Sequence, residues 1–248
     1  MSKLTIILAT VACLAQSPEK PKTESRSKSP VAEVAGAYYF GDGLGVNCSL
    51  NIERKGRFSF VWLGCGGVYD QNTGGAKIEA GHLILTPDKP NVREGFRGTA
   101  TDLIPIRWGE RLYLIPEAER RQFCNDVNQG SEPRDVAHGS FYIRRDDWKK
   151  KVTGLPSVPK EWESLLLKKP LHGKVIEVLG DDRARVDLGS DSGVWKGMQL
   201  WVDIEGFGLV QVLEVGAKNS VISIKYPDVT PIRFQKGQGV RSRLSAED

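Results

Sequence analysis

Histidine is scarce in this chain of 248 residues: there are three, His82, His138 and His172. None has a second histidine, a cysteine or a carboxylate at ligand spacing, which removes the common zinc-site patterns. No Gly-x-Ser-x-Gly elbow occurs, so the usual hydrolase nucleophile context is missing. No apolar run approaches the roughly 20 residues a membrane-spanning helix needs. Charge of one sign is not concentrated either. The chain has 35 basic and 31 acidic residues, and the two balance over residues 35–150 and again over 170–248, leaving no basic face for nucleic acid. Methionine is low at 2 and glycine high at 27. The glycines fall at turn-like positions, which favours many short strands over long helices. No cofactor or metal is expected.

The first residues carry an address. Lys3 is a positive start, Leu4 to Ala12 is a short apolar run, and Cys13-Leu14-Ala15 ends it with small residues. This is the layout of a secretory signal peptide over residues 1–15. It implies an exported protein of the periplasm or cell envelope. Thr10-Val11-Ala12-Cys13 also resembles the lipobox of bacterial lipoproteins, although Thr10 stands where an apolar residue is usual. That resemblance implies cleavage before Cys13 and lipidation of that cysteine. Cleavage after Ala15 and release of a soluble protein is the alternative. Residues 16–34 mix Pro, Ser and charge without apolar periodicity and read as a disordered tether.

Residues 35–150 read as a β-meander with one helix. Val46, Cys48, Leu50 and Ile52 alternate with polar residues, as do Phe58, Phe60 and Trp62. A three-residue loop, Arg54-Lys55-Gly56, sets Ile52 opposite Phe58 and Cys48 opposite Trp62. Further strands are read at 38–40, 67–69, 82–85, 104–106, 111–115 and 140–143, with turn signals such as Asn72-Thr73-Gly74-Gly75 between them. The helix opens at Pro116 and closes before Gly130, with Phe123, Cys124 and Val127 as its inward stripe. Cys48, Cys65 and Cys124 are candidate disulfide partners, since an oxidising compartment permits one bond and one leftover thiol. A bulge at Gly64 would turn Cys65 toward Cys48; Cys124 bonded to either is the competing choice, and three unpaired buried thiols the third.

Gly36-Ala37-Tyr38 followed by Leu50 to Phe58 resembles the opening hairpin of exported lipocalin-like barrels, with Tyr38 where that family has tryptophan. The resemblance implies a barrel whose cavity would be lined by Tyr38, Phe58, Phe60 and Trp62.

Residues 151–170 form a linker. Ser157 is placed to cap a short helix begun by Pro159, with Val158, Trp162, Leu165 and Leu166 at helical spacing. From residue 171 to 248 a second β module begins with Gly173-Lys174-Val175, passes through Gly193-Val194-Trp195-Lys196-Gly197-Met198 and ends in Gly239-Val240-Arg241. This order resembles small β-barrels of bacterial cell-envelope and flagellar-assembly proteins, which implies a role in assembly or protein contact. The fold class expected is mainly β: two small barrels or sandwiches joined by a short helical linker.

Gly41-Asp42-Gly43-Leu44-Gly45 lacks the Lys-Ser/Thr of a phosphate loop and leads into a strand, so it reads as a turn. Asp146-Asp147 and Asp181-Asp182 sit at strand ends, where solvated Asp is expected. With Leu200, Val202 and Ile204 inward, Trp201 points outward, with Trp195 and Phe207 nearby. Exposed rings of this kind anchor interfaces, unless they cover the linker or the other module. The expected function is a non-catalytic, exported protein-binding or assembly module whose partner is an envelope protein. The alternatives are a small-molecule carrier using the first barrel and a hydrolase in which His82 or His138 meets a Ser and an Asp.

Overall fold

The computed structural model of the chain describes residues 30–41, 43, 45–89, 98–131, 141–203, 208–225 and 233–243. The signal peptide, Cys13 and most of the tether lie outside these residues. Among the described residues no helix is long and apolar enough to cross a membrane.

The fold is mainly β, as the alternating pattern predicts: an eight-stranded and a six-stranded antiparallel barrel with a short helix between them. The first barrel runs up and down in chain order through β1 (Gly36–Gly41), β2 (Asn47–Ile52), β3 (Arg57–Gly64), β4 (Gly67–Glu79), β5 (His82–Pro87), β6 (Asp102–Trp108), β7 (Arg111–Pro116) and β8 (Tyr142–Arg144). β8 closes it on β1, pairing Arg144 with Tyr38. The β2–β3 hairpin has the expected register, Ile52 opposite Phe58 and Cys48 opposite Trp62. Gly56 supplies the left-handed turn residue at φ 79°.

Alternate residues of these strands fill the barrel. Tyr38, Leu50, Ile52, Phe58, Leu83, Leu103, Leu112, Leu114 and Tyr142 are buried together in one cluster. Two expectations change here. Pro30–Val34, read as the end of the tether, is a one-turn helix, α1, whose Val31 and Val34 join that cluster. The Tyr38 hydroxyl donates to the Val34 carbonyl at 2.6 Å and ties α1 to β1. Asn72-Thr73-Gly74-Gly75, read as a turn, lies inside the long strand β4. Gly74 is there for space: a Cβ would overlap the Thr86 carbonyl oxygen and the Phe58 ring.

β7 is buried along its whole length. Leu112 and Leu114 face the barrel interior, while Tyr113 and Ile115 face outward beneath a covering layer. That layer contains α2 (Arg120–Asn128), which contributes the expected stripe of Phe123, Cys124 and Val127, and Trp162 of the linker. The linker helix is a 3-10 turn over Lys160–Leu165. Ser157 does not cap it; its N–H donates to the Arg107 carbonyl at 2.8 Å as an isolated bridge to β6.

The second barrel contains β9 (His172–Val178), β10 (Arg183–Val186), β11 (Gln199–Val202), β12 (Leu209–Val215), β13 (Ser220–Ile224) and β14 (Gly239–Arg241). Its strands follow the circular order β10-β13-β12-β11-β14-β9. Val175, Ala184, Val186, Met198, Leu200, Val210, Val212, Ile222 and Val240 pack its centre.

No disulfide joins Cys48, Cys65 and Cys124. Cys48 faces the interior of the first barrel and Cys124 lies in the layer outside it, so the barrel wall separates the two. Cys65 sits in the exposed turn between β3 and β4. The third sequence reading puts all three thiols in the interior; Cys48 and Cys124 are buried and Cys65 is exposed.

Candidate functional site

The two barrels meet through the polar side of α2. The Asn125 side chain accepts from the Gln199 N–H at 3.0 Å and donates to the Gly197 carbonyl at 3.2 Å. Gln199 also donates to Gln122 and accepts from Gln129. Asn128 donates to the Leu165 carbonyl and accepts from the Leu167 N–H, both at 2.8 Å. These amides sit on the opposite side of the helix from its apolar stripe, where a sequence pattern reads solvent. Their signal, four amide residues within eight positions, becomes legible only once the second barrel is in place.

Trp195 belongs to this joint. Its ring packs against both the second core and the covering layer, its indole N–H donates to the Leu165 carbonyl at 3.1 Å, and the Arg121 guanidinium lies 5.9 Å from its centre. The reading of Trp195 as an outward contact residue is thus replaced by one in which it covers the linker. Trp201 is half-buried on β11, between buried Leu200 and Val202 as alternation requires. Phe207 and Ile204 lie outside the described residues.

The expected cavity residues form a packed interior. Tyr38, Phe58 and Phe60 are buried and Trp62 packs against them. Burial pushes the Tyr38 hydroxyl well above the usual phenol range. Against this interior, among the described residues, lies a pocket of about 180 Å³, lined among others by Phe40, Cys48, Ala100, Glu119 and Tyr142. Ordinary ligand sites are larger, about 300–1,000 Å³. Burial also pushes the Cys48 thiol up to about 12, with the Asp70 charge adding to it, which disfavours the thiolate there.

His82 does meet an acid: its Nδ1 lies 2.7 Å from Asp102 Oδ1 across β5 and β6. No serine completes a triad on the ring among the described residues, and His138 lies outside them. Among the described residues no group of three metal-ligating side chains forms.

Asp147 departs from the solvated turn residue expected. Its side chain is 0% exposed. It accepts from Arg144 Nε at 2.8 Å, Arg144 Nη2 at 3.1 Å, Lys150 Nζ at 2.6 Å and the Leu112 N–H at 3.0 Å. Burial alone would raise its carboxyl, but the bonds from Arg144 and Lys150, the Arg144 charge and the Leu112 N–H together hold it below the usual carboxylate range. Asp147 thereby pins the 3-10 turn Arg145–Asp147 to the end of β7.

Beside that turn lies an open groove of about 650 Å³, lined by Tyr39, Gly43, Arg145, Asp146, Trp148 and Lys149. The Tyr39 and Trp148 rings stand 6.0 Å apart at 41°. Arg145 lies 5.2 Å over the Tyr39 ring and donates to Ser49 Oγ at 2.9 Å. On the second barrel, the end of β9 and the residue after it carry a run of exposed apolar side chains in sequence, a ridge of Ile176, Val178 and Leu179 interrupted by exposed Glu177, exposed by 38%, 45% and 40%.

No protein-family model matches the chain, and no curated protein or solved structure matches it. What the structure shows is two small closed β-barrels, with no family identified.

Proposed function

We propose that this is an exported envelope protein that works by binding, with the second barrel as its protein-contact module. The observation that carries the reading is the ridge of Ile176, Val178 and Leu179. Three large apolar side chains within four residues at the end of a barrel strand, each held partly in water, are costly unless a partner covers them. The joint through Asn125 and Trp195 supports it further, since it ties the second barrel to α2 and the linker. The eight-strand up-and-down order of the first barrel is also that of lipocalin-like carriers. Its filled interior favours contact over carriage.

The test is recovery of one defined partner from envelope extract by the tagged protein, followed by binding of the two purified proteins. Ile176→Asp with Val178→Asp should weaken that binding at least about tenfold, the loss of a small hot spot. Trp201→Ala reports whether the contact extends onto β11. Leu63→Asp, at an exposed position on the first barrel, is the control. Equal binding by the double variant, with melting unchanged, overturns the reading.

A further inference from the structure

The groove beside Tyr39 has features the contact reading does not use. Five cations fall within residues 144–151: Arg144, Arg145, Lys149, Lys150 and Lys151. Arg144 and Lys150 are consumed by the buried carboxylate of Asp147. Arg145 is not: among the described residues it has no carboxylate partner, only the Ser49 hydroxyl and the Tyr39 ring. Lys149 beside it in the groove has none either among those residues.

Arg145 is also held in place. The Tyr39 ring beneath it is fixed by its own hydroxyl, which donates to Asn47 Oδ1 at 2.7 Å. With one face on that ring and Nη2 turned to Ser49, the guanidinium retains an N–H edge for an oxyanion. Much of the side-chain entropy that binding would cost is already lost. Trp148 forms the other wall, rooted in the covering layer between the barrels. Its backbone N–H donates to the Arg145 carbonyl at 3.3 Å, so ring and cation sit on one turn that Asp147 anchors.

We propose that this groove binds a small oxyanion carried on a six-membered ring, the anion on Arg145 and Lys149 and a face of the ring against Trp148. The volume of about 650 Å³ suits one ring with substituents. Asp146 sits in the same lining. It disfavours ligands crowded with negative charge and accepts from a hydroxyl donor, which separates this site from a polyanion surface. The ring-borne anion can be an acidic sugar or an aryl phosphate. The shared chemistry is an oxyanion beside a ring face, a C–H face in the sugar and a π face in the aryl phosphate; the source is a matter for experiment.

The experiment is a ¹H–¹⁵N titration of the full chain, following the Trp148 indole N–H, assigned by its loss in Trp148→Phe. The probes are glucuronate and phenyl phosphate, each against its neutral counterpart, glucose and phenol, and against inorganic phosphate. At least one ring-borne anion should bind ten times more tightly than its neutral counterpart and than inorganic phosphate. Which one does so names the source. Arg145→Met, at an exposed position, should weaken that binding at least tenfold while the remaining spectrum stays that of the folded protein. Three results overturn the proposal: no probe shifts Trp148, a neutral or bare-anion probe binds as well, or Arg145→Met binds as the wild type does. None of them bears on the ridge of the second barrel, so the two readings fail separately.

Discussion

Replacing Asp147 by asparagine keeps the size of the side chain and removes its charge. Four donors then face a group with one acceptor oxygen: with that oxygen toward the Leu112 N–H and Arg144 Nε, the NH₂ is left facing Arg144 Nη2 and Lys150 Nζ. Removing one partner of a buried ion pair costs about 3–5 kcal/mol. Here the figure is discounted, because the Arg144 and Lys150 side chains are 20% and 42% exposed and can turn to water. The buried amide cannot: whichever way it turns, its NH₂ faces donors only, and a buried polar group left unmet costs about 1–3 kcal/mol. The sum expected is about 3 kcal/mol, or a fall in Tm of roughly 6–12 °C for a protein of this size. The sign with pH follows from the depressed carboxyl. A folded pKa below the unfolded one contributes stability that is fully present above about pH 4 and fades as pH falls through the folded value. Urea unfolding of wild type and Asp147→Asn at a series of pH values is the assay. The two curves should be separated at pH 7 and converge toward acid. A difference below about 0.5 kcal/mol at pH 7, or one that widens on acidification, refutes the reasoning.

Thiol labelling of the native protein should modify Cys65 first, with Cys48 and Cys124 reacting only in denaturant, since burial holds both of those near 12; peptide mass mapping reads this, and native labelling of Cys48 would contradict a filled barrel. Asn125→Ala leaves the Gln199 N–H and the Gly197 carbonyl without their partner and should cost about 2 kcal/mol. Limited proteolysis should then cut residues 151–170 faster, and unchanged cleavage would deny the joint its role. Gly74→Ala should destabilise by at least about 2 kcal/mol through the Phe58 ring and the Thr86 carbonyl, measured by thermal melting. The open face of Gly75, where nothing stands near a Cβ, provides the comparison.

Period-two alternation made the strands legible, and the β2–β3 register followed to the residue because apolar side chains on both strands can share one face in only one way. The apolar stripe of α2 was legible for the same reason. What escaped was every feature set by a distant partner. Asn72 to Gly75 carry turn chemistry, yet they continue a strand because Phe58 needs the room Gly74 leaves. Asp147 looks like a surface residue until β7 brings the Leu112 N–H to it. Trp195 could be read from the sequence as an exposed contact or as a cover for the linker or the other module; the choice depends on Leu165 and the covering layer, which only the fold brings to it. The groove joins Tyr39 and Ser49 to Arg145 and Trp148, which are far apart in sequence and adjacent only because β8 returns to β1.

That return also sets an order of events for the emerging chain. Tyr38 and Arg144 are partners, so seven strands must wait for the eighth before the first cylinder can shut. Until then β1 and β7 both present bare edges, the condition in which strands find wrong neighbours. A chain interrupted shortly before Tyr142 would hold nearly all the residues of the first barrel and remain an open, sticky sheet. Synthesis of a handful of residues divides an aggregation-prone polypeptide from a closed one.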